Sequence, residues 1–555
     1  MQDLVEYYLP PFQQCARDSR VKSIMCSYNS VNGTPACAST YLMGTVLRDF
    51  WEWTDESQYI TSDCNAIVNF HDDHNYTETA AQSAAIAYRA GTDTVCEYDS
   101  ITDVQGAYDQ SLLSEQVIDQ ALRRLYEGLI RAGYFDPAGD SPYRSLGWED
   151  INTPEAQDLA LQSAVTGLVL KKNDDEFLPL NDDDSSLALI GFWSNGTTAM
   201  LGGYAGPPPF FHGPWYAAEA LGKSTFIAGG PIAPGDSAED TWTAPALETA
   251  EQVDIVIYFG GNDMSVESED KDRTSIAWPS AQLELIEKIC ALGKPCVVVE
   301  LGDQNDDQPL LENKNVSAIL WAGFPGQDGG TAVFDVLTGK TSPAGRLPTT
   351  VYPAAYVDQV PMTDMTLRPT EENPGRTYKW YEVPVLPFGH GLHYTTFEAS
   401  FNPDGAVGKD SYEISDLVSG CDAKYLDLCP FDDVQITVTN TGEVASDFVT
   451  LLFLAGEHGP EPRPIKDLVG YTRLRGVEPG ETQDVAVSLR LAELARVDER
   501  GNTVLYPGTY ELLVDVPTQA TATFELVGEA ETLIEFPQPP PDLGEGNGHE
   551  NLTRF

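Results

Sequence analysis

Basic side chains are scarce in this sequence: 32 Lys and Arg stand against 86 Asp and Glu, which leaves a net charge of −54 at pH 7 over 555 residues. Such a surface repels phosphate backbones and anionic lipid heads, so nucleic acid and membrane surfaces are excluded as partners and a neutral ligand is favoured. Long apolar runs are also missing. The longest strand-like ones, such as Cys296–Leu301, reach about a third of the roughly 20 residues that a membrane helix needs. Nine cysteines are too few for a disulfide scaffold in a chain of this length, although Cys290 with Cys296 and Cys421 with Cys429 are spaced for local bridges. The N-terminus, Met1-Gln-Asp-Leu-Val-Glu-Tyr-Tyr, has neither the basic nor the apolar region of a signal peptide. Five Asn-x-Ser/Thr sequons, at Asn32, Asn75, Asn195, Asn315 and Asn551, point the other way, to an extracellular glycoprotein.

What is present is enough apolar material, 42% of residues, for several cores. From Val21 to Tyr98 short apolar runs alternate with helical stretches around 41–50 and 78–90, the rhythm of parallel strands joined by helices. A helix is expected over 113–132, where Val117, Ile118, Ala121, Leu122, Leu125 and Leu129 share one face. A second α/β block follows, with strands in 167–170, 187–191, 254–259, 296–301 and 316–321 that are mostly unbroken apolar runs, as in strands covered on both faces. Beyond about 433 the period changes to alternation broken by Gly, Pro and Asn, the text of an antiparallel β-sandwich. The expected division is an incomplete barrel-type unit at 1–136, a linker at 137–164, an α/β domain at 165–395, a linker at 396–425, a β-sandwich at 426–532 and a disordered tail at 533–555.

Two carboxylate features carry candidate chemistry. Asp63, in Thr61-Ser-Asp-Cys-Asn, stands where a strand ends, the position that carries the chemistry in α/β barrels; capping the following helix is its ordinary alternative. Tyr28, after the preceding strand, is placed to hold an Asp oxygen or simply to pack. The second feature is the acidic loop Val266-Glu-Ser-Glu-Asp-Lys-Asp-Arg, with Glu267 and Glu269.

Taken with Tyr28-Asn-Ser-Val-Asn-Gly, Phe324-Pro-Gly-Gln-Asp-Gly-Gly, Pro343-Ala-Gly-Arg-Leu-Pro and Pro387-Phe-Gly-His-Gly-Leu-His-Tyr-Thr-Thr-Phe, these two motifs resemble glycoside hydrolase family three, and within it the fungal β-xylosidases. The resemblance runs from residue 2 to about 530. It implies a TIM-type (β/α) barrel, an α/β sandwich and a fibronectin type III-like β-sandwich, and a retaining exo-glycosidase acting on xylo-oligosaccharides or aryl β-xylosides without metal or organic cofactor. Asp63 matches the family nucleophile. Glu269 keeps the Glu-x-x-Asp-Arg spacing of the acid/base loop, and Glu267 is the alternative. β-Glucosidase or α-L-arabinofuranosidase activity, and a non-catalytic carbohydrate-binding protein of the same descent, are the alternative readings.

Many β-glucosidases of the family carry Trp after the nucleophile, where this chain has Cys64. By the resemblance, Cys96 closes the adjacent barrel strand, so a Cys64–Cys96 disulfide is expected, walling off the space of a glucose hydroxymethyl; two free buried cysteines are the alternative. A full barrel takes about 250 residues, and the strands recognised before residue 137 match its last three. A fragment of a longer, secreted enzyme is therefore expected. Gly302-Asp-Gln-Asn-Asp-Asp-Gln departs from the family's Gly- and Ser-rich turn, and Asn32 lies in its active-site loop, where no glycan is expected.

Overall fold

The computed structural model describes residues 1–96, 100–180, 185–232, 240–403 and 405–540. They divide into two compact units, one of Met1–Ile151 with Val497–Thr503 and the described part of Ile534–Phe555, the other of Asn152–Arg496 and Val504–Leu533. Among the described residues no helix is long and apolar enough to cross a membrane.

In the first unit three parallel strands, Ser23–Cys26, Tyr59–Cys64 and Thr94–Cys96, lie side by side in chain order. Each is followed by helical structure, and the sheet is buried on one face only: Ile60 is buried while Met25 is exposed. The helix Ala80–Ala90 forms for local reasons: Thr79 caps it by accepting from the Gln82 N–H, five alanines line its buried face, and Gly91 at φ +120° ends it in a conformation that L side chains avoid. Trp53, Ile60, Ile67 and Phe70 are buried beneath it. The helix expected over 113–132 is found as Glu115–Arg131, and another, Ser100–Asp109, precedes it. Its sequence, with Gly106 inside, carries little helical signal. Packing makes it, since Ala107 and Leu113 close on Ala81, Ala84 and Ala85.

In the second unit the sheet order is Val169–Asn173, Ala318–Gly323, Cys296–Leu301, Ile255–Gly261, Leu187–Ile190, Thr225–Ala228; all neighbours are parallel except the first pair. Apolar clusters lie on both faces, and Cys296–Leu301 in the middle is buried along its whole length. The strand Thr225–Ala228, unforeseen in the sequence, is a four-residue edge strand with exposed positions. Two further sheets form the β-sandwich: Phe397–Phe401, Pro430–Asn440 and Thr482–Arg490 in one, and Ser411–Glu413, Ala520–Val527, Gly508–Val514, Ser446–His458 and Asp467–Val477 in the other.

Three of the expected boundaries need correction. The stretch 137–164 is not all linker, because Pro154–Gly167 is a helix with Thr153 as its cap, accepting from the Ala156 N–H, and Pro154 at its first turn. The stretch 396–425 is part of the sandwich: Phe397–Phe401 and Ser411–Glu413 are short edge strands, the first paired antiparallel with Pro430–Asn440 and the second parallel with Ala520–Val527. Residues 533–540 of the expected tail are ordered. Phe536 is buried in the first unit against Phe50, with ring centroids 5.3 Å apart, and the Pro537 carbonyl accepts from the Tyr41 hydroxyl at 2.7 Å. The remaining tail residues, 541–555, lie outside the described residues.

Candidate active site

The central strand of the first unit ends in a sharp reversal. Asp63 is half-buried, its Oδ1 accepts from the Cys64 N–H at 2.7 Å, and Asn65 turns the chain at φ +66°. The carboxylate does not cap a helix, since the next one, Asn69–Asp72, begins beyond the reversal. Cys64 pairs in register with Cys96 on the adjacent strand and is bonded to it, with Cα atoms 4.3 Å apart. Two further bonds join the same strand ends: the Cys96 N–H donates to Ser62 Oγ at 3.0 Å, and the Asn65 N–H to the Cys96 carbonyl at 2.8 Å.

Tyr28 follows the neighbouring strand, whose Cys26 is in register with Ser62, so Tyr28 and Asp63 leave the same end of the sheet. Its half-buried ring packs on the core of the unit. His74 fixes this loop, with Nε2 2.8 Å from the Tyr28 carbonyl and Nδ1 3.2 Å from Ser30 Oγ. Beyond it Ser30–Val31 and Thr34–Pro35 form a hairpin whose turn, Asn32-Gly33, holds both residues at positive φ, and a Cys26–Cys37 disulfide closes the loop. The sequence reading missed His74 and this bridge. Two cysteines flanking an Asn-Gly hairpin were the available signal. Cys290–Cys296 and Cys421–Cys429 are bonded as well, and Cys15 is free and exposed.

The strand's other end is held by Asp93, whose side chain is 2% exposed. It accepts from the Ile60 N–H at 2.9 Å and pairs with Arg48 at 3.1 Å and Arg124 at 3.0 Å, tying the helical segments Tyr41–Phe50 and Glu115–Arg131 to the strand. Burial raises the Asp93 carboxyl above its ordinary value, against the pull of the two arginines.

In the second unit the acidic loop follows the strand Ile255–Gly261. Ser268 and Lys271 exchange backbone hydrogen bonds of 3.1 and 3.0 Å across a two-residue turn, with Asp270 at φ +61°. Glu269 therefore stands at the exposed tip, where the Tyr204 hydroxyl donates to its Oε2. Glu267 lies at the base, about one-third exposed and ion-paired with Arg273. Burial raises its carboxyl, Arg273 opposes this, and Asp303 adds to it.

Arg273 reaches into the segment 302–308: Nη1 and Nη2 donate to the Gln304 carbonyl, both at 3.2 Å, and Nη1 to Asn305 Oδ1 at 3.1 Å. Behind it lies a cluster the sequence reading did not single out. Lys171 Nζ is 2.5 Å from Glu300 Oε2 and 2.6 Å from Asp307 Oδ2, all three side chains being fully buried. Burial and Asp307 push Glu300 up to about 7 against the pull of Lys171. For Lys171 itself the cost of burial is more than offset by Asp307 and Glu300, which raise it.

Comparison with known proteins bears on all of these parts. Residues 1–127 match the glycosyl hydrolase family 3 N terminal domain, 168–394 its C-terminal domain, and 448–516 a fibronectin type III-like domain. A probable exo-1,4-beta-xylosidase of Aspergillus fumigatus is 50% identical over 544 residues, 97% of this chain and 70% of that protein. An exo-1,4-beta-xylosidase of Emericella nidulans is 48% identical over 96% of this chain and 69% of its own. Among solved structures, a family 3 exo-beta-xylosidase in complex with a xylobiose aziridine activity-based probe superposes with a TM-score of 0.91 at 42% identity, over 97% of this chain and 70% of that one. A β-glucosidase from Erythrobacter marinus gives 0.78 at 26% identity, over 95% and 70%.

Proposed function

Since this chain belongs to glycoside hydrolase family 3, we propose that it is an exo-β-xylosidase, releasing xylose from the non-reducing ends of xylo-oligosaccharides by a retaining double displacement. The observation that carries the substrate is the 48% identity to an exo-1,4-beta-xylosidase over nearly the whole chain, against 26% to a β-glucosidase. In this reading Asp63 attacks the anomeric carbon and becomes glycosylated while the acid/base carboxyl protonates the departing oxygen. The same carboxylate then takes the proton of the water that frees the sugar. Asp63 suits the first role because it leaves the C-terminal end of a parallel strand on a rigid reversal.

Glu269 is assigned the acid/base role because the hairpin presents it at an exposed tip, whereas Glu267 is committed to Arg273. One observation favours Glu267 as a second reading: its carboxyl is the raised one, as a general acid requires. The Cys64–Cys96 bridge beside Asp63 supports a pentose over a hexose, by occupying the room of a hydroxymethyl group. Extracellular action is supported by the four disulfides and by the exposed positions of Asn75, Asn195 and Asn315 in their sequons.

Hydrolysis of aryl β-xyloside against aryl β-glucoside tests the assignment. The xyloside is expected to be cleaved and the glucoside poorly, with Asp63→Asn silent; equal rates on both sugars, or an undiminished Asp63→Asn, would refute it. Glu269→Gln and Glu267→Gln, each with azide as an external nucleophile, decide between the two glutamates. Azide restores turnover only where the acid/base carboxylate has been removed.

A further inference from the structure

The acidic loop is moored at its base by an unbroken line of polar contacts that runs into the core of the second unit. Arg273, which pairs with Glu267, donates to Asn305 Oδ1 at 3.1 Å. Asn305 is 3% exposed, and its backbone N–H and Nδ2 both donate to Glu300 Oε1, at 3.1 and 3.0 Å. Glu300 Oε2 meets Lys171, Lys171 meets Asp307, and Asp307 Oδ1 accepts from Trp278 Nε1 at 3.0 Å. Asn262 braces the same turn, its Nδ2 donating to the Asp303 carbonyl at 3.1 Å and its Oδ1 accepting from the Asp303 N–H at 2.9 Å.

A buried lysine between two carboxylates is a poor way to gain stability, because apolar side chains of similar volume do as well or better. What such a cluster does supply is fixed direction. Every charged atom is already met by a partner within the cluster, and the atom that leaves it towards the surface is the Asn305 oxygen. We propose that Asn305, held by the buried Lys171–Glu300–Asp307 cluster, is a positioning residue for proton transfer to the leaving group: it fixes Arg273 and thereby the hairpin that presents the acid/base glutamate. The proposal rests on the assignment of that glutamate to this loop. Its physical basis is the narrow reach of a general acid, about 2.6–3.2 Å from the oxygen it protonates, so that a shift of about 1 Å costs on the order of 100-fold.

Leaving groups separate positioning from general structure. A phenyl β-xyloside needs its oxygen protonated as the bond breaks, while a dinitrophenyl β-xyloside departs as a stable anion without that proton. In the full chain, Asn305→Ala is expected to lower kcat/KM on the phenyl substrate by about 10- to 100-fold and to leave the dinitrophenyl substrate within about threefold. Arg273→Lys, which keeps a cation for Glu267 but loses the fork that reaches Asn305, gives the same pattern in weaker form and carries the test should Asn305→Ala not fold. Equal losses on both substrates, or no loss on the phenyl substrate, would overturn the proposal while leaving the glycosidase reading intact. A parent chain that cleaves neither substrate overturns both. A flat leaving-group profile in both glutamate-to-glutamine variants takes the acid/base carboxyl out of this loop and overturns the proposal with that assignment, while hydrolysis by the parent chain stands.

Discussion

Replacing Glu300 by glutamine perturbs the cluster at its least comfortable charge. Its carboxyl is pushed from an ordinary 4.5 up to about 7 by burial and by Asp307, against the pull of Lys171. The folded protein thus holds this proton over a range in which the unfolded chain has released it. The stability Glu300 contributes is full below about 4.5 and is lost as the pH rises through about 7. At 1.36 kcal/mol per pKa unit the whole effect amounts to about 3 kcal/mol. The amide of Glu300→Gln does not titrate, so relative to the parent the variant should gain up to that amount between pH 4.5 and 7. Urea titrations at half-unit pH steps, followed by hydrogen exchange of the strand Cys296–Leu301, read this difference where it arises. Parallel curves for parent and variant across the range would show that Glu300 is not the group that keeps the proton, and would refute the electrostatic account of the cluster.

Other perturbations probe the first unit. Asp93→Asn leaves Arg48 and Arg124 without their shared carboxylate and should destabilise that unit by about 3–5 kcal/mol, seen as a lowered Tm; an unchanged Tm contradicts the role given to Asp93. Opening the Cys64–Cys96 bridge by Cys96→Ser releases a closure across 32 residues, which the chain-entropy argument values at about 4 kcal/mol as an upper bound, measured as faster proteolysis of the first unit under native conditions. Phe536→Ala removes the anchor of the returning segment from beside Phe50 and should cost roughly 3 kcal/mol, with new cleavage sites after residue 530; undiminished resistance to protease would show the segment to be dispensable.

What could be read in the sequence follows from how local each signal is. Cys296–Leu301 was legible because a strand buried on both faces must be apolar throughout, and the place of Asp63 at a strand end because a carboxylate closing an apolar run stands out. Thr225–Ala228 was not, since a short edge strand with exposed positions carries no such run, and Ser100–Asp109 was not, because its helix is made by neighbours rather than by its own propensity. Asp93 and His74 take their meaning from partners 30 or more residues away, which no local pattern announces. The Lys171 cluster did leave a trace. A lysine in Val-Leu-Lys-Lys and a glutamate in Val-Val-Val-Glu-Leu are charges of opposite sign inside strands that must be buried, and such charges are seldom buried without each other.

The covalent step tests the account at its centre. Incubation with a fluorinated β-xyloside carrying a good leaving group, which slows hydrolysis of the glycosyl-enzyme more than its formation, followed by intact mass and peptide mapping, reads the nucleophile directly. The account predicts one fluoropentosyl adduct, on Asp63, and none in Asp63→Asn. An adduct on another carboxylate, or turnover of aryl β-xyloside with no adduct at all, would contradict it.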